Sequence, residues 1–304
     1  PIYDGAADPT ILWNRAEKTW WILYTNRRAT AEGSGVAWVH GTDIGVASSP
    51  DGSDWLYRGT LRGLEFEPGH NTFWAPEVLW HAGLYHMYVS YVRGIPTTWN
   101  YGRSIVHMTS ANLWDWQFQS LLPLSSDRVI DACVFRLPDG HWRMWYKDEV
   151  NHAFTYSADS PDLYHWTAGG PAVSDCAHEG PNVFAWRGSY WMITDPWHGL
   201  GVYRSADLEA WARVGTILDR PGARAEDGAI GHHADVLVQG DEATVFYFTH
   251  PGVSGMAPEN TVWGYPKRRS SLQAARLDLV DGELVCDRDQ EFELRLLPGD
   301  EAGV

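Results

Sequence analysis

Three carboxylates and a histidine share one phase of this chain. Five hairpin-like segments can be aligned on their first apolar residues, Ile11, Val78, Val134, Val183 and Val236. Three residues before each stand Asp8, Ala75, Asp131, Gly180 and His233, with Glu179 one residue before Gly180. Taken singly, each has a plain structural role. Asp8 precedes Pro9 as a turn initiator would, Asp131 stands at the start of a strand-like run, and Glu179 opens a Glu-Gly-Pro loop. Their common phase argues for more. If the repeat brings them to one place, the acids cannot all ionise cheaply, and their pKa values are driven apart. That is the electrostatic condition for acid–base catalysis.

The elements that must position these groups are themselves repeated. Apolar and aromatic runs around short polar turns recur at 10–24, 77–91, 132–146, 182–194 and 235–249, each with the signature of a β-hairpin. A second motif, Ser followed by a turn and then Trp, begins at Ser49, Ser110, Ser157 and Ser205 and ends at Trp55, Trp116, Trp166 and Trp211. Hairpin, loop, strand, Ser turn and strand make a four-stranded unit, five times over, and extended helical periodicity is missing. Four-stranded units in radial repetition form a β-propeller. The expectation is an all-β, five-bladed β-propeller spanning 1–304 as a single domain. The fifth copy lacks the Ser/Trp signature and continues through a long loop, 250–270, into Leu272–Leu279 and Glu283–Val285.

In a propeller the first strand of each blade lines the axial channel. If that strand starts at the active mouth, the second strand ends there. The loops 25–42, 92–103, 147–153, 195–201 and 250–270 then wall the mouth. They supply Arg27, Trp38, His40, Trp99, Trp197, His198 and Trp263, while the segments entering the first strands add Trp74 and His178. Loops this rich in Trp, His and Arg read as a binding wall. Trp faces stack on flat, hydroxylated ligands.

Composition narrows the partners. A formal charge of −16 argues against nucleic acid and anionic membrane surfaces, which both call for clustered positive charge. No apolar run approaches the roughly 20 residues of a membrane span. Cys133, Cys176 and Cys286 are odd in number, fit no zinc or redox spacing, and read as buried reduced thiols. With no basic and apolar leader pattern at the start of the chain, the expectation is a cytoplasmic protein. Oligomeric state is left open.

At these residues the chain resembles glycoside hydrolase family 43, together with its five-bladed relatives in clan F and family 117. The resemblance rests on Ala7-Asp-Pro-Thr-Ile-Leu12, Trp74-Ala-Pro-Glu-Val78, Val129-Ile-Asp-Ala-Cys-Val-Phe135, Glu179-Gly-Pro-Asn-Val-Phe184 and Gly231-His-His-Ala-Asp235. It implies an inverting glycosidase acting on an oligosaccharide or small glycoside, such as an α-L-arabinofuranoside or β-xyloside. Asp8 would be the general base, Glu179 the general acid, and Asp131 the group that tunes and orients the acid. It further implies an axial calcium ion contacted by His233, with His232 as the adjacent candidate. Glu77 after the Trp-Ala-Pro stretch and the His-rich mouth depart from the commonest pattern and leave the sugar open. His178, beside Glu179, holds a reserve place in proton transfer of the family 117 type. The alternatives are an anhydro-galactosidase of that type, another unusual-sugar hydrolase, and a sugar-binding propeller without catalysis.

Overall fold

A computed structural model describes residues 3–253 and 264–299. Their strands form five four-stranded antiparallel sheets, each in sequence order from inside to outside. Blade one contains β1 (Ala6–Asn14), β2 (Thr19–Asn26), β3 (Ile44–Ser49) and β4 (Leu56–Thr60). Blade two contains β5 (Thr72–His81), β6 (Leu84–Val92), β7 (Ser104–Ser110) and β8 (Gln117–Leu121). Blade three contains β9 (Val129–Arg136), β10 (Trp142–Asp148), β11 (Phe154–Ser160) and β12 (Thr167–Val173). Blade four contains β13 (Glu179–Trp186), β14 (Ser189–Asp195), β15 (Leu200–Ser205) and β16 (Ala212–Ile217). Blade five contains β17 (His232–Gln239), β18 (Glu242–Thr249), β19 (Ser271–Val280) and β20 (Glu283–Val285). The expected all-β five-bladed propeller is the fold. Among the described residues no helix is long and apolar enough to cross a membrane.

The apolar core is divided among the blade interfaces. Leu12, Trp21 and Leu23 of blade one pack against Phe73, Met87 and Val106 of blade two. Equivalent clusters join blades two and three, three and four, four and five, and five and one. Burial falls outward: β2 and β6 are almost wholly buried, whereas β4, β8 and β16 are mostly exposed. Hydrogen bonds between adjacent inner strands add to this packing. The Val134 N–H donates to Glu77, Val236 N–H to Asn182, and Ile11 N–H to Asp235, at 2.8, 3.2 and 2.7 Å. The last of these joins blade five to blade one. The tail reinforces the join, with Leu294 and Leu296 in that interface and the Trp20 indole N–H donating to the Leu297 carbonyl.

The Ser turns have a definite chemistry. The Oγ of Ser49, Ser110, Ser160 and Ser205 accepts from the backbone N–H three residues on, at 2.8, 2.9, 2.9 and 2.9 Å. That third residue (Gly52, Leu113, Leu163 or Leu208) has positive φ in every copy, and the hydroxyl replaces a backbone acceptor at the turn. In blade three the capping residue is Ser160, three residues after the expected Ser157. Trp55, Trp116 and Trp166 close the motif by donating back to the carbonyl of the positive-φ residue. These tryptophans are architectural.

Candidate active site

The shared phase of Asp8, Ala75, Asp131, Gly180 and His233 corresponds to a β-bulge near the start of every inner strand. Regular pairing shifts between Ala7 and Thr10, Trp74 and Glu77, Glu179 and Asn182, and His232 and Ala234. In blade three the shift lies opposite Trp145 and Lys147. Four bulge residues are left-handed: Asp8, Ala75, Asp131 and Gly180 have φ of 49°, 42°, 59° and 57°. A bulge re-aims a side chain, and left-handed non-glycine backbone persists only where its surroundings over-determine it. The determinants here are hydrogen bonds between blades. Ala75 N–H donates to the Thr25 hydroxyl, Asp131 N–H to the Ser90 hydroxyl, and His233 N–H to the Asp195 carboxylate, at 2.8, 2.9 and 3.1 Å.

The bulges surround one cavity of about 830 Å³, lined by Asp8, Asp131, Glu179 and His233. Arg27 forks onto both oxygens of Asp8 at 3.1 and 3.2 Å and lies 4.8 Å over the Phe248 ring. Lys147 Nζ is 3.0 Å from Glu179 and 3.4 Å from Glu149, and 5.0 Å above the Trp197 ring. Arg103 pairs with Glu149 at 3.1 Å. It also donates to the carbonyls of Tyr101 and Trp99, which fixes the loop that carries the half-exposed Trp99 indole. His233 Nδ1 lies 3.6 Å from Asp8 and 3.9 Å from Asp131.

These contacts split the two neighbouring acids. Burial, reinforced by the Glu179 and Asp8 charges and opposed by His233, raises Asp131 to about 7. Burial would raise Glu179 as well, but the Lys147 charge and hydrogen bond outweigh it and hold that carboxyl below the usual range. Lys147 is pushed up in turn, because Glu179, Glu149 and Asp131 overcome its desolvation. The two neighbouring acids are thus driven in opposite directions, Asp131 becoming the weaker acid and Glu179 the stronger.

Arg27, Trp38, Trp74, Trp99 and Trp197 all line the cavity, as expected. Three histidines do not. His178 is fully buried, between the Thr155 hydroxyl at 2.6 Å and the Cys176 carbonyl at 2.8 Å. His40 is buried behind the wall and held to the Val36 carbonyl at 3.0 Å, with its ring against Trp74 and Trp99. His198 is exposed and off the cavity wall. Trp263 lies outside the described residues. The sequence reading did not single out Lys147, Glu149, Arg103 or Phe248. Only the hairpin register could have revealed Lys147, which lies opposite the start of its bulge as Thr25 and Ser90 do in their own hairpins.

His233, Asp8 and Asp131 do not draw together as a metal cage. Among the described residues, the one group of three metal-capable side chains within 4.8 Å of one another is Asp175, Cys176 and His178. Calcium takes six to eight oxygen ligands, so an axial ion contacted by His233 would keep most of its shell as water. In the other group both His178 nitrogens are engaged, and Arg213 stands 3.3 Å from Asp175 and 3.6 Å from the Cys176 sulfur. A cation there would meet a guanidinium.

Fold and site together place the chain among five-bladed propellers with a carboxylate-lined mouth. It is similar over most of its length to solved glycoside hydrolases of that architecture. A thermostable family-43 glycoside hydrolase superposes with a TM-score of 0.70 at 20% identity, covering 96% of both chains. A β-xylosidase gives 0.69 at 14% identity, covering 92% of this chain and 95% of its own. A β-1,3-galactosidase of family 43, solved with galactodeoxynojirimycin, gives 0.68 at 16% identity, covering 95% and 96%. A β-xylosidase/α-arabinofuranosidase with a similar fold is described as a calcium-free form in complex with xylotriose. No family model matches the sequence, and no curated protein does.

Proposed function

We propose that this chain is an inverting glycoside hydrolase that removes terminal sugars from short oligosaccharides or simple glycosides, α-L-arabinofuranosides or β-xylosides among them. The observation that carries the reading is the convergence of Asp8, Asp131 and Glu179, from blades one, three and four, on one tryptophan-walled cavity. Structural neighbours solved with xylose and xylotriose support a sugar of this size. Each cation of that wall, Arg27, Lys147 and Arg103, is already paired with a carboxylate, which favours an uncharged glycoside.

In this reading Asp8 takes a proton from water as the water oxygen bonds to the anomeric carbon. The bond to the leaving oxygen breaks on the opposite face, and Glu179, acting from its protonated form, delivers its proton to that oxygen. Asp131 accepts the Gly180 N–H at 3.2 Å, which fixes the backbone that carries Glu179. The sugar ring packs on Trp74, whose indole N–H is tied to the Val39 carbonyl at 2.6 Å, and the leaving group is walled by Trp99 and Trp197. An axial calcium ion, held by His233 and water, would add positive charge at the mouth, and no step is routed through it.

The test is an NMR assay of product anomers across a panel of glycosides that includes anhydro-galactose oligosaccharides. Release of the inverted anomer, abolished by Asp8→Asn and Glu179→Gln, is expected. A retained anomer overturns the assignment of base and acid. Saturable binding of sugars without any release of reducing ends overturns the enzymatic reading.

A further inference from the structure

The five-fold repeat singles out two cavity residues, Lys147 and Phe248, that cannot accept a hydrogen bond at a place where other blades do, and of these only Lys147 is charged. The residue opposite the start of each bulge is Thr25, Ser90, Lys147, Asp195 and Phe248 in blades one to five. In blades one, two and four its side chain accepts the N–H of the next blade's bulge residue. Lysine has no acceptor. In blade three that duty passes to Asp131, which takes the Gly180 N–H at 3.2 Å. Lys147, only 6% exposed, turns instead to Glu179 at 3.0 Å. A buried ammonium is costly unless paired, and an acceptor at this position would keep the repeat intact.

We propose that Lys147 is a positioning residue that holds Glu179 as a carboxylate in the free protein and thereby confines its acid catalysis to acidic pH. The inference rests on the reading of Glu179 as the acid catalyst. Other charges around Glu179 do not do this work. Glu149, Asp131 and Asp8 are acidic and oppose ionisation. Arg27 and Arg103 are bound to Asp8 and Glu149, and Asp195, the residue paired with Glu179 on β14, is bound to His232. His233 adds to the effect but faces Asp8 and Asp131. The direction follows from the contact: Lys147 pulls the carboxyl down although burial pushes it up. Glycoside binding must insert the leaving oxygen at this ion pair, so the pH dependence of kcat/KM, which reports the free enzyme, carries the signature.

Two measurements test it. The carboxyl ¹³C resonance of Glu179, assigned by its loss in Glu179→Gln, is titrated in the wild-type protein, which needs neither a substrate nor a folded Lys147 variant. Ionisation persisting below the ordinary glutamate range is expected, and titration at or above that range overturns the proposal. On any glycoside the wild type turns over, Lys147→Met is expected to move the alkaline limb of kcat/KM upward by about 1–3 pH units. Lys147→Arg, which keeps the charge, restores the wild-type limb. A limb that stays put in Lys147→Met, or moves equally in Lys147→Arg, overturns the proposal. A low Glu179 titration with no turnover of any glycoside leaves the Lys147 contact standing and removes the proposed function.

Discussion

The Asp131 carboxylate accepts the backbone N–H of Gly180 at 3.2 Å, so one acid of the cavity holds the peptide that follows another. Asp131 is therefore mechanical as well as electrostatic. Its amide isostere keeps an acceptor for Gly180 and loses the titration. Asp131→Asn is expected to lower turnover about 10²-fold, the scale on which misplacing a catalytic group registers. Its melting temperature should stay within a few degrees of wild type. Differential scanning calorimetry beside steady-state kinetics checks both, and a large fall in melting temperature would make the residue chiefly structural.

Gly180 is constrained from two sides. Its φ is +57°, and a Cβ there would stand 2.6 Å from the His233 ring. Gly180→Ala is expected to cost at least about 1–2 kcal/mol from the left-handed backbone alone, with the clash in addition. Chemical denaturation measures the loss, and displacement of His233 should show as a shift of its imidazole NMR signals.

A buried ion pair ties the segment leading from blade four into blade five to the chain just beyond β20. Asp227 is fully buried and accepts from Arg288, Arg224 and the Tyr247 hydroxyl. Arg288 also donates to the carbonyls of Arg220 and Ala229 at 2.6 and 2.8 Å. Arg288→Met removes the deepest cation and leaves those acceptors unpaired. A loss of about 3–5 kcal/mol is expected, read as a shift in the urea midpoint. A shift below a third of that would show that Arg224 compensates alone.

Acid should loosen the packing of blade two against blade three. His86 Nδ1 and His107 Nε2 are 3.0 Å apart, and the His107 ring stacks on Tyr88. Burial lowers the two imidazoles to about 4 and about 3 respectively, from an ordinary value of 6.5. Below 6.5 the unfolded chain therefore binds more protons than the folded one. Stability from the neutral pair is complete above that pH and is lost as pH falls through the folded values. His107→Phe, which keeps the stacking, should flatten the dependence of the urea midpoint on pH between about 6.5 and 4. An unchanged slope would assign the acid sensitivity to other groups.

The sequence was sufficient for the repeat, because a bulge, a hairpin and a Ser turn are local structures whose residue requirements recur within each blade. The phase of Asp8, Asp131 and His233 was legible for the same reason. In blade three the capping serine, Ser160, stands three residues beyond Ser157 inside the same motif. The histidines were not legible. A His beside Glu179 and a His on a mouth loop have the same sequence context whether they face the cavity or the packing behind it. Only the fold decided that His178 and His40 are buried and His198 lies off the wall. Lys147 shows the same limit from the other side. Its partner Glu179 lies in the next blade, and a charge acting across 3.0 Å between blades leaves no trace in the spacing of either segment. Local sequence determined the bulges that carry Asp8, Asp131 and His233; the contacts between blades decided which neighbouring side chains face the cavity and how its acids are paired.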